Sequence, residues 1–273
     1  MKKTPFRFEA LKSPEKATLT VGSEGADVRN LQTFLSTAGY LRRERVPGKY
    51  CEWTAGALRS FQKNYGLPAT GEADDKTLGL IQRPRCGVPD IPAQQAPDSP
   101  LAPFVLSQCK YDRTDLTFAF TNSTPDLPGD RALEIVREAF GVWAEVSTLR
   151  FTEVAPDESP MFTIAWERRD HGDGFPFDDA GINNNVLAHA FFPPPCGGPF
   201  AGALHFDEFE RWTDATAVGS VRLLNVAIHE IGHLLGLQHS DQQQAIMYAF
   251  YSDAIDHLFQ DDIDGIRALY GQP

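Results

Sequence analysis

The stretch HEIGHLLGLQHS, residues 229–240, limits what this chain can fold into more than any other segment. The run before it, residues 221–228, is apolar and free of breakers, which predicts a helix leading into the motif. His229 and His233 are four apart, so their imidazoles share one helical face, a turn apart. Glu230 follows the first histidine and is placed to reach a metal-bound water. Gly236 can adopt positive φ, which ends the helix and swings the chain round. That turn returns His239 towards the pair as a third nitrogen. Three neutral histidines leave one position open on a tetrahedral zinc, the pattern of a catalytic site.

A bare HExxH is short enough to arise by chance in a surface helix. The glycine and third histidine at fixed offsets make coincidence much rarer, and the extended motif resembles the metzincin zinc peptidases. Ser240, directly after the third histidine, is what the matrixin branch shows there. Met247, in AIMYAFY, resembles the Met-turn that underlies the zinc in that clan. The resemblance implies an α+β catalytic domain: a twisted mixed sheet with an active-site helix and a C-terminal helix.

Upstream, residues 1–17 read as a loose lead-in. Val28, Leu31 and Leu35, then Leu58, Phe61 and Tyr65, recur at helical spacing and predict a small helical domain. Its sequence resembles the peptidoglycan-binding-like fold, which also forms the propeptide of matrixins. PRCGVPD, residues 84–90, resembles the matrixin cysteine switch residue for residue. A thiolate is a strong zinc ligand, so the resemblance implies that Cys86 occupies the open position, with Arg85 and Asp90 able to pair and hold the loop. Residues 91–103 are rich in proline and alanine and predict an extended, protease-accessible linker. The expected organisation is a prodomain over 18–90, an activation linker over 91–103 and a catalytic domain over 104–273, trimmed just before Phe104. The same resemblance implies that its new ammonium pairs with Asp261 or Asp262. Within it, Leu133, Val136, Phe140 and Trp143 predict a core-facing helix, LRFTEV and MFTIAW predict strands, and QDDIDGIRALYG predicts a closing helix with acids in its first turn.

Six of the seven histidines fall to two metal sites under this resemblance. His171, Asp173, His189 and His205 match a closed structural zinc site. Asp178, Asp207 and Glu210 match side-chain ligands of a calcium site beside it, although INNN lengthens the loop after Asp178. A second calcium site of the family needs aspartates where this chain has Met161 and Ala203, so it is expected to be absent. The cofactors implied are two zinc ions and at least one calcium.

The reaction implied is hydrolysis of an internal peptide bond, with Glu230 as general base. By analogy, the edge strand at Leu187 and Ala188 pairs with an extended substrate, and the segment through Ala249 and Tyr251 forms the other wall of a hydrophobic P1′ pocket. Ala249 stands where the family has proline; Tyr251 matches the family tyrosine. Two other readings stay open: a metzincin of another branch targeted to peptidoglycan, and a non-enzymatic wall-binding protein.

Net charge is −12 and unevenly spread. Residues 1–100 carry 15 basic and 11 acidic side chains, whereas residues 101–273 carry 10 and 26. The acidic second part argues against nucleic acid and suits oxygen-ligand cations. No run is long enough to span a membrane. The expected partners are protein or peptide substrates and an activating protease, with peptidoglycan open, and the chain is expected to be a secreted monomer. The first residues lack the apolar core of a signal peptide, so the expectation is a leader outside this sequence or another export route. With Cys86 assigned to the switch, one disulfide at most can form among Cys51, Cys109 and Cys196, the pairing left open.

Overall fold

The computed structural model describes residues 18–42, 46–93, 95–101, 106–107, 109–177 and 185–273. Near the N-terminus, α1 (Ala26–Thr37), α2 (Glu52–Asn64) and α3 (Asp75–Ile81) pack around Val28, Leu31, Leu35, Leu58, Phe61 and Leu78, all buried. The helical spacing in the sequence is therefore the spacing of this core. Buried amides pin its turns: the Gln32 amide donates to Lys49 O (3.0 Å) and accepts from Gly48 N (2.8 Å). Gln62 repeats the device on Gly71 and Glu72. Asp74 caps α3 by accepting from Thr77 N at 2.8 Å.

The remaining elements are β1 (Arg85–Cys86), β2 (Asp115–Phe120), α4 (Arg131–Val146), β3 (Arg150–Glu153), β4 (Phe162–Glu167), β5 (Val186–Ala190), β6 (Ala203–Asp207), β7 (Trp212–Thr213), β8 (Val221–Arg222), α5 (Leu223–Leu234) and α6 (Gln260–Tyr270). Six strands form one mixed sheet in the order β1-β5-β6-β4-β2-β3. All its pairings are parallel except that of β5 with β6. The expected α+β class, with an active-site helix and a closing helix, is what forms. Helix α5 is apolar on nearly every side and is buried accordingly. It packs on α4, where the Trp143 indole donates to Ile228 O at 2.9 Å, and α6 closes the core with Ile266 and Leu269.

One expectation needs correction. Val221 and Arg222 are not helical: they form β8 against β7, with Val221 N donating to Arg211 O (2.9 Å) and Arg222 N to the Tyr251 hydroxyl (2.9 Å). The helix starts at Leu223. An apolar run without breakers cannot distinguish a buried strand from the first turn of a helix. The described residues of the 91–103 stretch are anchored at points, while Ala93, Ala96, Pro97, Asp98 and Pro100 stay exposed. Ile91 and Leu101 are buried, Ile91 N donates to Ala38 O (3.2 Å), and Asn64 brackets Ser99 O and Leu101 N. The Arg42 guanidinium donates to four carbonyls in turn, those of Ile91, Pro92, Ala93 and Gln95. The Arg42 fork makes a strap out of a segment with no periodicity of its own. Leu133 is half-buried, unlike Val136, Phe140 and Trp143.

The helical N-terminal core is continuous with Tyr248, Ala249 and Phe250 of the C-terminal half. Tyr65 packs edge-on to Phe250 (5.1 Å between centroids) and Tyr248 (5.6 Å). Of the three cysteines left open, Cys109 and Cys196 form the disulfide, and Cys51 is free.

Candidate metal centres and active cleft

His229 and His233 lie on α5, and Gly236, at φ +104°, turns the chain so that His239 joins them. Each ring is fixed through Nδ1. His229 faces Ile246 O (2.7 Å), His233 faces Leu237 O (2.7 Å) and His239 faces the Asp90 carboxylate (3.0 Å). With Nδ1–H donated in each case, the Nε2 atoms carry lone pairs into a common centre. His229 Nε2 and His233 Nε2 stand 3.1 Å apart, lone pair against lone pair, and His239 Nε2 is buried with no hydrogen-bond partner among the described residues. Burial holds all three rings neutral, pushing His229 down to about 3. Such a set asks for a cation, and its chemistry fits zinc.

Cys86 Sγ is the fourth member: the ligand atoms of Cys86, His229, His233 and His239 lie within 4.8 Å of one another, all in buried residues. The switch segment is held on both sides. Arg85 N donates to Asn185 O (3.0 Å) and Gly87 N to Ala188 O (2.8 Å), so β1 takes the edge of β5. On the other side Cys86 N donates to Ala249 O (3.0 Å). Arg85 and Asp90 make a fully buried ion pair at 2.5 Å. Burial pushes Asp90 up, but Arg85 first and His239 next hold it well below the usual carboxylate range. The Asp90–His239 contact was not foreseen. It spans 149 positions in sequence, so no local pattern announces it.

Glu230 is fully buried, and neither carboxylate oxygen has a hydrogen-bond partner among the described residues. Burial pushes its pKa up to about 8, against the opposing pull of the Cys86 thiol and Arg85. Cys86 is itself pushed up by burial and by the Glu230 charge. Beneath the histidines, Met247 Sδ presses on Gly232 so closely that a Cβ there would sit 2.3 Å away. A glycine inside a helix was the signal for this contact. Asp262, also unforeseen in this role, holds the turn by accepting from Ile246 N (2.9 Å) and Met247 N (3.1 Å). Asp261 accepts from Ser240 Oγ at 2.6 Å. Phe104, whose ammonium was expected at these acids, lies outside the described residues.

The second cluster joins His171 and Asp173 of one loop to His189 on β5 and His205 on β6, which face each other in register. Asp173 Oδ2 lies 2.7 Å from His171 Nε2, 2.7 Å from His189 Nε2 and 2.9 Å from His205 Nδ1. Burial lowers His189, and burial with the neighbouring His189 lowers His205 to about 4, so these rings too are neutral donors. Three ring nitrogens around one carboxylate oxygen fit a closed zinc site.

For the calcium assignment, Asp178 lies outside the described residues. Asp207 is buried at the end of β6, where it accepts from Phe209 N (2.8 Å), and Glu210 N donates to Asp207 O (3.1 Å). Between them Glu208, which no sequence motif marks, buries an oxygen with no hydrogen-bond partner among the described residues, and burial pushes its pKa up.

Leu187 and Ala188 are on β5, and Ala249 lies across the switch from them. Leu187, Val226, His229, Ala249, Tyr251 and Ile255 line a cavity of about 30 Å³ beside Glu230. The Tyr251 hydroxyl is tied to Asp253 and Arg222 N.

A family model described as Matrixin matches residues 110–271, and one described as a putative peptidoglycan binding domain matches residues 24–81. The chain is 40% identical over 221 residues to stromelysin-1 of Mus musculus, covering 79% of this chain and 43% of that protein. It is 39% identical over 247 residues to interstitial collagenase of Bos taurus (89% and 48%). With hatching enzyme of Paracentrotus lividus the identity is 38% over 253 residues (92% and 40%). The chain thus spans about half the length of the curated relatives it matches.

Proposed function

The chain belongs to the matrixin family, and from that premise we propose that it is a zinc-dependent endopeptidase held latent by its own N-terminal part. One observation carries the reading. Three neutral histidines and Cys86 converge on a centre beside Glu230, whose buried carboxylate has no hydrogen-bond partner among the described residues. The proposed organisation is a prodomain over 18–90, a linker over 91–103 and a catalytic domain over 104–273. His229, His233 and His239 hold the catalytic zinc, with Cys86 as fourth ligand in the latent form. His171, Asp173, His189 and His205 hold the structural zinc, and Asp178, Asp207 and Glu210 contribute to a calcium site.

Zinc at the triad supplies Lewis-acid chemistry, polarising the scissile carbonyl and making water acidic enough to attack it near neutral pH. The chain's own groups do the rest. Ile246 O, Leu237 O and, while the switch is in place, Asp90 orient the three rings. Glu230 takes a proton from the attacking water on a carboxylate oxygen and passes it to the leaving amine. Once residues 85–87 withdraw, Ala188 O and Ala249 O lose the amides they now accept from, and a peptide can insert as the next strand. The cavity of about 30 Å³ behind Leu187 and Ala249 supports an apolar P1′ preference.

Secretion fits the Cys109–Cys196 disulfide, which needs an oxidising compartment. No helix among the described residues is long and apolar enough to cross a membrane. The match at residues 24–81 favours a second role for the prodomain, retention on peptidoglycan, which sedimentation of the full-length chain with purified peptidoglycan would test.

Glu230→Ala tests the central reading. The variant should keep its zinc and its fold and, once the prodomain is removed, cleave peptides on the order of 10² or more times slower than the trimmed parent. Equal turnover in the two trimmed forms would refute the assignment.

A further inference from the structure

The Cys109–Cys196 disulfide has no part in the chemistry above, yet it joins two segments that both brace the histidine triad. The first is the stretch leading to Cys109. Ser107 N donates to Gly236 O (2.7 Å), Leu106 and Leu237 form an antiparallel bridge, and Gln238 Nε2 donates to Leu106 O (3.4 Å). Cys109 O sits so close to Gly236 that a Cβ there would be 2.6 Å away. This stretch therefore lies directly on the turn that delivers His239 and supplies Leu237 O, the acceptor for His233 Nδ1.

The second segment is the loop between β5 and β6. Its Phe192 ring packs edge-on to His233, with centroids 5.5 Å apart. The loop is tight: Cys196 N donates to Pro193 O (3.0 Å), and a Cβ on Gly197 would lie 2.2 Å from Phe192 O. A displacement of Cys196 is thereby passed to Phe192. The two segments reach the triad from different elements and, among the described residues, the S–S bond joins them while no backbone hydrogen bond does.

We propose that Cys109 and Cys196 are positioning residues for the catalytic metal: their disulfide locks the two braces together and fixes His233 and His239 against them. Reduction by a dithiol breaks the S–S bond, transfers two electrons and two protons to give two thiols, and leaves the dithiol as its own disulfide. The braces then move independently, and the metal at the triad is held less tightly. Phe191 of the loop between β5 and β6 packs on His189 and His205, but the β5–β6 ladder sets the register of those two rings, and among the described residues the second cluster shares no hydrogen bond with the Ser107–Gly236 brace, so it keeps its metal. The inference rests on the zinc assignment proposed above.

The test uses the full-length protein in three forms: oxidised parent, parent reduced under native conditions with its thiols counted, and Cys109→Ser/Cys196→Ser. Zinc release to a colorimetric chelator is followed in each. The expected result is two phases in the parent, one of which becomes roughly tenfold faster in the other two forms, the size of effect usual for groups behind a metal ligand. In cobalt-substituted protein, the thiolate-to-cobalt absorption from Cys86, which only the triad site can give, should shift in the same forms. A purely structural disulfide would speed both phases together and leave that band unchanged, and this outcome would overturn the proposal. Unchanged phases and band would overturn it equally. If the double variant does not fold, the reduced parent decides. A parent without zinc would instead refute the metal assignment itself, so the two failures are distinct.

Discussion

Cys86 gains its role from what surrounds it. The thiol is buried among three imidazoles, its amide is spent on Ala249 O, and the neighbouring Gly87 N is spent on Ala188 O. Burial and the Glu230 charge both disfavour a free thiolate there, so a cation at the triad is what would make the thiolate the stable form. A hydroxyl is a far poorer zinc ligand at neutral pH. Cys86→Ser in the full-length chain should therefore raise basal peptide cleavage, on the order of tenfold by analogy with other losses at metal sites. The rate of the untreated parent and of the form starting at Phe104 bracket the comparison. If the full-length parent already matches the trimmed form and the serine variant is no faster, Cys86 is not the latch.

The β5–β6 hairpin is the element on which both metal centres depend. Its antiparallel register sets His189 against His205, and its free edge, at Val186 and Ala188, receives the switch. Without metal, three ring nitrogens and a carboxylate share one small volume, an arrangement that binding energy must sustain. His205→Ala should remove one zinc ion per chain and loosen the segment from His171 to Phe192. A site saturated 10²–10³-fold over its Kd contributes about 3–4 kcal/mol to the folded state. Zinc content together with thermal unfolding checks this. Full zinc content and unchanged stability in the variant would show that these four residues are not a metal site.

At the scale of the whole molecule, the proposed latency would rest on an aromatic contact between two cores as well as on a thiol. Phe61 and Tyr65 of the helical part close over Tyr248 and Phe250, and the Arg85–Asp90 pair lies buried at the same junction. Tyr65→Ala leaves every proposed metal ligand in place and removes the ring that touches both Tyr248 and Phe250. Truncating a buried aromatic costs about 3–5 kcal/mol. Part of that should appear as easier release of the switch, with faster basal cleavage at unchanged zinc content. Loss of thermal stability with no gain in cleavage would mean that the junction serves folding and not latency.

The motif residues were legible because helical geometry alone sets them: a four-residue spacing puts His229 and His233 on one face, and a glycine at 236 turns the chain back. The helical spacing of Val28, Leu31 and Leu35 was legible for the same reason, as was the periodicity that places Trp143 in the core. Contacts between distant segments were not. Asp90 meets His239 across 149 positions, Cys109 joins Cys196 across 87, and Asp262 reaches back to the amides beneath the histidines. Four carbonyls drawn to Arg42 turn an aperiodic stretch into a strap. Residues 221 and 222 belong to this second group, since only the partner at Trp212–Thr213 makes them a strand. Local spacing determines which side chains can converge. Which backbone groups and counter-charges hold them there depends on chain segments that meet only after folding.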